Sequence, residues 1–138
     1  MRILAIDYGA SRIGLAVSDP LGIIASPVGT IKSVGMKGDV DALAQKAKEL
    51  GADKIILGLP INMDGSEGVR AEISRKLAAV LQKVSGISVE LVDERLSTVS
   101  AERALDEAKV RWNKRKQVVD TISAQIILGT YLEKQKHL

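Results

Sequence analysis

The apolar positions of this chain change period along its length. Residues 2–7 (RILAID), 12–19 (RIGLAVSD) and 23–31 (IIASPVGTI) are short apolar runs separated by turn residues such as Gly9, which predicts three strands. Connections this short favour hairpins, so residues 2–31 read as an antiparallel meander. The period then lengthens. Val40, Leu43, Ala44, Ala47 and Leu50 recur at helical spacing, and Gly51 supplies a residue that tolerates a left-handed C-cap. DKIILGL (53–59) is a buried-type strand stopped by Pro60, and INMDGSEG (61–68) is loop. Val69, Ile73, Leu77, Val80, Leu81 and Val84 form the stripe of a second helix that Gly86 ends. SVELVDE (88–94) is the fifth strand. Ser97 or Thr98 caps a third helix carrying Ala101, Ala104, Leu105 and Ala108. A charged stretch at 109–116 separates it from a last helix over 117–134.

The predicted order is β-β-β-α-β-α-β-α-α, an α/β fold. Its mixed five-stranded sheet combines a three-stranded antiparallel meander with two parallel strands and carries helices on both faces. With strands one, four and five parallel, their C-terminal ends share one sheet edge, where α/β proteins place ligands. Those ends are Asp7, the Gly58-Leu59-Pro60 turn and Asp93-Glu94. Topology alone brings two acidic positions together.

The 138 residues predict one domain, spanning 1–138, long enough to bury a core and too short for two lobes. Zero Cys and a single His, in a terminal KQKHL, exclude a disulfide framework, a zinc-thiolate site and thiol catalysis. No apolar run reaches membrane-spanning length and MRILAIDYG carries no leader-like stretch, so a cytoplasmic protein without a membrane anchor is expected. The net charge of +3 says little about partners, but its distribution says more. Lys109, Arg111, Lys114, Arg115 and Lys116 cluster with no acid between them, just before Asp120. Aromatics are reduced to Tyr8, Trp112 and Tyr131, which argues against a fold that stacks bases on aromatic platforms.

Only oxygen ligands are available for chemistry. Clustered carboxylates repel and need a cation or a shared proton. A hard cation, Mg²⁺ or Mn²⁺, suits them. Two such ions about 3.5–4 Å apart can stabilise both the attacking and the leaving oxygen of a phosphoryl displacement. Each acid also has a plain structural reading. Asp7 can accept backbone N–H groups in a turn, and Asp93-Glu94-Arg95 can be a solvated strand end with a surface ion pair. Asp120 can be an N-cap, although Val118 and Val119 put the helix start earlier. Within a helix it shares a face with Ala124, Ile127 and Tyr131. In GLPINMDGSEG, Gly58, Gly65 and Gly68 permit close backbone approach. Ser66 can start the next helix, whose free N–H groups suit a phosphate. An ordinary strand–helix connection is the alternative there, since GxxxxGK[ST] is absent.

Four segments, DYGASRIGLAVSDP (7–20), GLPINMDGSEG (58–68), VDERLSTVSAE (92–102) and VVDTISAQIILGTYL (118–132), together resemble the YqgF family. These are bacterial Holliday-junction-resolvase-like proteins, also described as pre-16S rRNA nucleases. The resemblance spans essentially the whole chain with the motifs in order. It implies a ribonuclease H-like fold and catalytic, metal-binding acids at Asp7, Glu94 and Asp120. Asp93 is the alternative to Glu94, because strand neighbours face opposite ways.

The implied activity is a Mg²⁺- or Mn²⁺-dependent endonuclease acting on precursor ribosomal RNA, in pre-16S 5′-end processing, or on branched DNA. Arg12, Ser66, Arg95, Lys114, Arg115 and Lys116 are the expected nucleic-acid contacts; Gly14, Gly58, Pro60 and Gly65 also match the pattern. Leu77, Ser97 and Ser123-Ala124 depart from it, and none touches an acid. Two rival readings stand beside this one. DYGASRIG is reminiscent of the first phosphate loop of the sugar kinase, heat-shock and actin superfamily, whose members close two lobes around ATP. A non-catalytic, nucleic-acid-binding ribosome maturation factor is the other.

Overall fold

Alternation of side chains along the central strands divides the molecule into two cores. The computed structural model describes residues 1–95 and 112–136, the side chains of 112–121 excepted. In chain order the elements are β1 (Ile3–Tyr8), β2 (Arg12–Ser18), β3 (Ala25–Lys32), α1 (Met36–Glu49), β4 (Lys54–Leu59), α2 (Val69–Ser85), β5 (Val89–Asp93) and α3 (Trp112–Lys136). Leu4, Ile6 and Tyr8 of β1 and Ile55 and Leu57 of β4 turn to one face, where Val40, Leu43, Leu77 and Leu81 of α1 and α2 cover them. Ile3, Ala5 and Ile56 turn to the other, beneath Ala124, Ile127, Leu128 and Tyr131 of α3. Both parities of β1 and β4 are buried, which is why these strands read as continuous apolar runs.

The sheet order is β3-β2-β1-β4-β5. β1, β2 and β3 pair antiparallel, and β1, β4 and β5 pair parallel. This is the expected mixed sheet with helices on both faces. Parallel neighbours need a crossover, and α1 and α2 supply both. Gly51 (φ 66°) and Gly86 (φ 72°) end those helices in the left-handed region, as their positions predicted.

Three expectations change: the start of the last helix, the face of α2 and the role of Ser66. The last helix already includes Trp112, so positions 112–116 of the charged stretch are helical rather than a linker. The stripe of α2 is displaced: Val69 and Val84 are 70% and 53% exposed, while Ala71, Ser74 and Ala78 are buried with Leu77 and Leu81. Small residues let α2 lie close to the sheet, and the two valines sit at its overhanging ends. Loop 61–68 is folded on itself, with an Ile61–Glu67 bridge closing a turn in which Gly65 N–H donates to Asn62 O (2.8 Å). Ser66 does not start α2, whose N-cap is Gly68 with no side-chain cap. The helix expected over 97–108, with Lys109 and Arg111, lies outside the described residues.

Candidate metal and catalytic site

Strand register builds the site. Ile6 of β1 pairs with Leu57 of β4, so Asp7 stands level with Gly58 at the C-terminal edge. Leu59 pairs with Asp93, and Glu94 N–H donates to Leu59 O at 3.3 Å, which puts Glu94 just past the end of β5. Asp7 shares its parity with Ile3 and Ala5, the strand face that α3 covers. Glu94 shares its parity with Val92, which packs against the same core. Its carboxylate lies over Gly58, where a Cβ would collide with Glu94 Oε2 and meet Ile127 Cδ1 at 2.9 Å. The close approach that Gly58 permits is therefore used by an acid of the same chain.

The Glu94 carboxyl lies within hydrogen-bonding reach of Asp7. Two ionised carboxylates have no proton to share, so this contact needs a proton or a cation between them. Burial pushes the Glu94 carboxyl up from its ordinary value, and the charge of Asp93 adds to that. The Asp7 hydrogen bond and the charge of Arg70 pull the other way without prevailing. Two oxygen donors this close fit a hard divalent ion, since Mg²⁺ takes one or two carboxylates and completes its shell with water. Among the described residues no group of three acids or histidines could hold a metal ion.

The backbone of α3 leads to the same end of the sheet. α3 runs antiparallel to β4: Tyr131 OH accepts from Lys54 Nζ (2.7 Å) at the strand's start, and Ile127 reaches Gly58 near its end. Seven residues before Ile127, at 1.5 Å per residue, position 120 falls about 10 Å further on, at the edge that carries Asp7 and Glu94. By helical spacing it also belongs to the face of Ala124 and Ile127.

Asp93 and Glu94 are separated by the fold. Asp93 turns outward into a forked ion pair with Arg95 (Nη2–Oδ2 2.7 Å, Nε–Oδ2 3.0 Å), which holds its carboxyl below the usual range. Arg95 is thereby engaged at the surface. Ser66 is engaged too: its backbone N–H donates to Asp64 Oδ1 at 2.9 Å, its hydroxyl to the same oxygen at 2.5 Å, and Asn62 Nδ2 donates to that hydroxyl. Arg12 opens β2, one short turn beyond β1, and its carbonyl accepts from Gly9 N–H (2.9 Å). Lys114, Arg115 and Lys116 lie in the first turns of α3.

Two residues of this edge went unnoticed in the sequence. Asp39, in α1, is 1% exposed and accepts from Tyr8 OH (2.5 Å), Ser33 Oγ (2.6 Å) and Val34 N–H (2.8 Å). Burial raises its carboxyl, but those donors outweigh it and the net displacement is downward. Arg70, in the first turn of α2, donates from Nη2 to Tyr8 O at 2.7 Å and lies over the Tyr8 ring. The available signal for Arg70 was its placement, since a cation opposes the dipole at a helix N-terminus.

A mixed sheet in this order, with a carboxylate pair at the ends of its parallel strands, defines the ribonuclease H-like class of α/β proteins. RuvC of Thermus thermophilus, solved in complex with a Holliday junction substrate, superimposes with a TM-score of 0.61, covering 99% of this chain and 96% of that one at 14% identity. The fowlpox virus resolvase, solved with Holliday junction DNA, gives 0.57 over 98% and 99% at 16% identity. At such identities the likeness is one of fold. The family is settled by sequence: the model described as "RuvX: Holliday junction resolvase" matches residues 1–134, and the chain belongs to that family. A relative from Myxococcus xanthus is 49% identical over 96% of this chain and 88% of its own length. One from Clostridioides difficile is 48% identical over 96% and 94%. Both are named "Putative pre-16S rRNA nuclease".

Proposed function

We propose that this chain is a divalent-metal-dependent endonuclease that hydrolyses phosphodiester bonds in nucleic acid, acting on the 5′ end of precursor 16S ribosomal RNA in the cytoplasm. The observation that carries the proposal is the Asp7–Glu94 contact at the ends of the parallel strands. A protein gains nothing in stability by pressing two carboxylates together unless a cation or proton joins them. The names of the relatives support RNA as the substrate. The family description favours a second reading, cleavage of branched DNA.

Asp7 and Glu94, with Asp120, are the residues to hold Mg²⁺ or Mn²⁺. Bound there, such ions activate a water and balance charge on the leaving oxygen. The chain's own part is placement. β1 and β5 deliver the two carboxylates at one level, and Gly58 leaves room for Glu94 beside Asp7. Ile127, fully buried on α3, packs close over Gly58 beside the pair. Arg12, at the start of β2 beside the end of β1, adds positive charge at the same edge for a polyanion.

The test is cleavage of precursor 16S RNA and of a four-way DNA junction, with and without Mg²⁺ or Mn²⁺, by the native chain and by Asp7→Asn. Metal-dependent RNA cleavage by the native chain is expected. Asp7→Asn should reduce it to background at an unchanged or slightly raised melting temperature. Full activity of Asp7→Asn would sink the proposal. Cleavage of the junction alone would move the substrate to branched DNA, and cleavage of neither would leave a binding factor.

A further inference from the structure

Arg70 stands where its own helix disfavours it. The N-terminus of α2 carries partial positive charge, and a cation in the first turn loses by it. The side chain is nevertheless half-buried. Nη2 donates to Tyr8 O at 2.7 Å, and the guanidinium carbon lies 5.6 Å from the Tyr8 ring centroid, within cation–π range. Tyr8 is itself fixed, its ring buried and its hydroxyl donated to Asp39. The guanidinium is thus pinned at two points to the residue that follows Asp7.

Pinned there, it makes no ion pair among the described residues. A cation held on Tyr8, next to Asp7, is placed to meet an anion that approaches the end of β1. A guanidinium offers five N–H donors in a planar fork that matches phosphate oxygens, and Tyr8 O takes one. Its long aliphatic stem also lets a group anchored on α2 act at a site covered by α3, around the end of β1.

We propose that Arg70 is a substrate-binding residue, donating to a phosphate oxygen of the nucleic acid next to the Asp7–Glu94 pair and orienting the phosphodiester from the α2 side. This rests on the nuclease reading and adds to it a contact made by the protein rather than by a metal.

The experiment measures binding of a labelled single-stranded oligoribonucleotide across a KCl series, with Asp7→Asn in every arm to prevent cleavage. Adding Arg70→Gln should make the slope of log affinity against log salt shallower by about 0.7, the value of one phosphate contact on a single strand. Adding Arg70→Lys should keep the slope, because it keeps the charge. In the otherwise native chain, Arg70→Gln should raise KM about ten-fold, on the order of a charge-assisted hydrogen bond, with Arg70→Lys recovering part of it. Mn²⁺ affinity, read by electron paramagnetic resonance, should be the same in the native and Arg70→Gln chains.

An unchanged salt slope in Arg70→Gln overturns the proposal. So does loss of Mn²⁺ affinity together with activity, which would make Arg70 a brace for the end of β1. Absence of oligoribonucleotide binding in the Asp7→Asn parent overturns it as well. Failure of the native chain to cleave RNA counts against the nuclease reading alone, because the slope comparison needs no cleavage.

Discussion

Two carboxylate environments lie side by side at the end of β1, and they are built on opposite principles. Asp39 is enclosed, and three donors, one from β1 and two from the β3–α1 connection, converge on it. Glu94 is half-buried, and the group it meets is another acid. The first arrangement surrounds a buried charge with donors, and the second sets one carboxyl against another, a contact that a proton or a cation reconciles. Tyr8 separates them, giving its hydroxyl to the first and its carbonyl to the Arg70 that flanks the second. Burial of an acid is therefore no guide to its role; the chemistry of its partners is.

The sharpest way to break the contrast is to remove the satisfied acid. Asp39→Ala leaves Tyr8 OH, Ser33 Oγ and Val34 N–H without their acceptor and should cost about 3 kcal/mol. A denaturant titration of the metal-free protein checks this, and a loss below about 1 kcal/mol would mean that water replaces the carboxylate with ease. Metal-supported cleavage by the folded fraction should survive.

Glu94→Gln should do the reverse, ending cleavage while stabilising the metal-free chain. The gain is about 1 kcal/mol or less once partial exposure is allowed for. The pH dependence gives the sign. Glu94 has its folded pKa raised above the ordinary 4.5. Its contribution is fully present below that value and is lost as pH rises through the folded pKa, so the metal-free protein weakens on the alkaline side. Asp39 has its folded pKa lowered below the ordinary 3.8. Its contribution is present above that value and is lost as pH falls through the folded pKa. Melting temperatures between pH 3 and 8 should flatten above about pH 4.5 in Glu94→Gln and stay steep on the acid side. An unchanged alkaline slope in that variant would show that the acid pair carries no repulsion.

The smallest effect belongs to the surface acid. Asp93→Asn breaks a pair whose two side chains are 41% and 36% exposed, so its stability cost should stay under about 1 kcal/mol. Cleavage should fall by no more than about two-fold, a change worth only a few tenths of a kcal/mol. A loss as deep as that of Glu94→Gln, read in the same cleavage assay, would put Asp93 at the metal and reverse the assignment.

Much of this was legible before any tertiary contact was known. Alternating and helical periods locate β1 to β5, α1 and α2 to within a few residues, because each period is a property of neighbours along the chain. They fail at α3, where Trp112 to Lys116 carry charge and no stripe, so the helix shows in the backbone before it shows in the pattern. They also misplace the face of α2, because valines at its ends imitate a stripe that Ala71, Ser74 and Ala78 complete by being small.

By itself the sequence determined the strand order, the edge where the acids gather and the restriction to oxygen ligands, all of which follow from local pattern and composition. Only the tertiary structure decided that Glu94 meets Asp7 while Asp93 turns to Arg95. Both parities of the central strands are apolar, so no pattern tells which one faces α3. It alone decided that Asp39 is satisfied and that Arg70 reaches Tyr8 across 62 residues of sequence. Such contacts depend on how far a side chain reaches once the sheet and helices have packed, and spacing along the chain does not encode that distance.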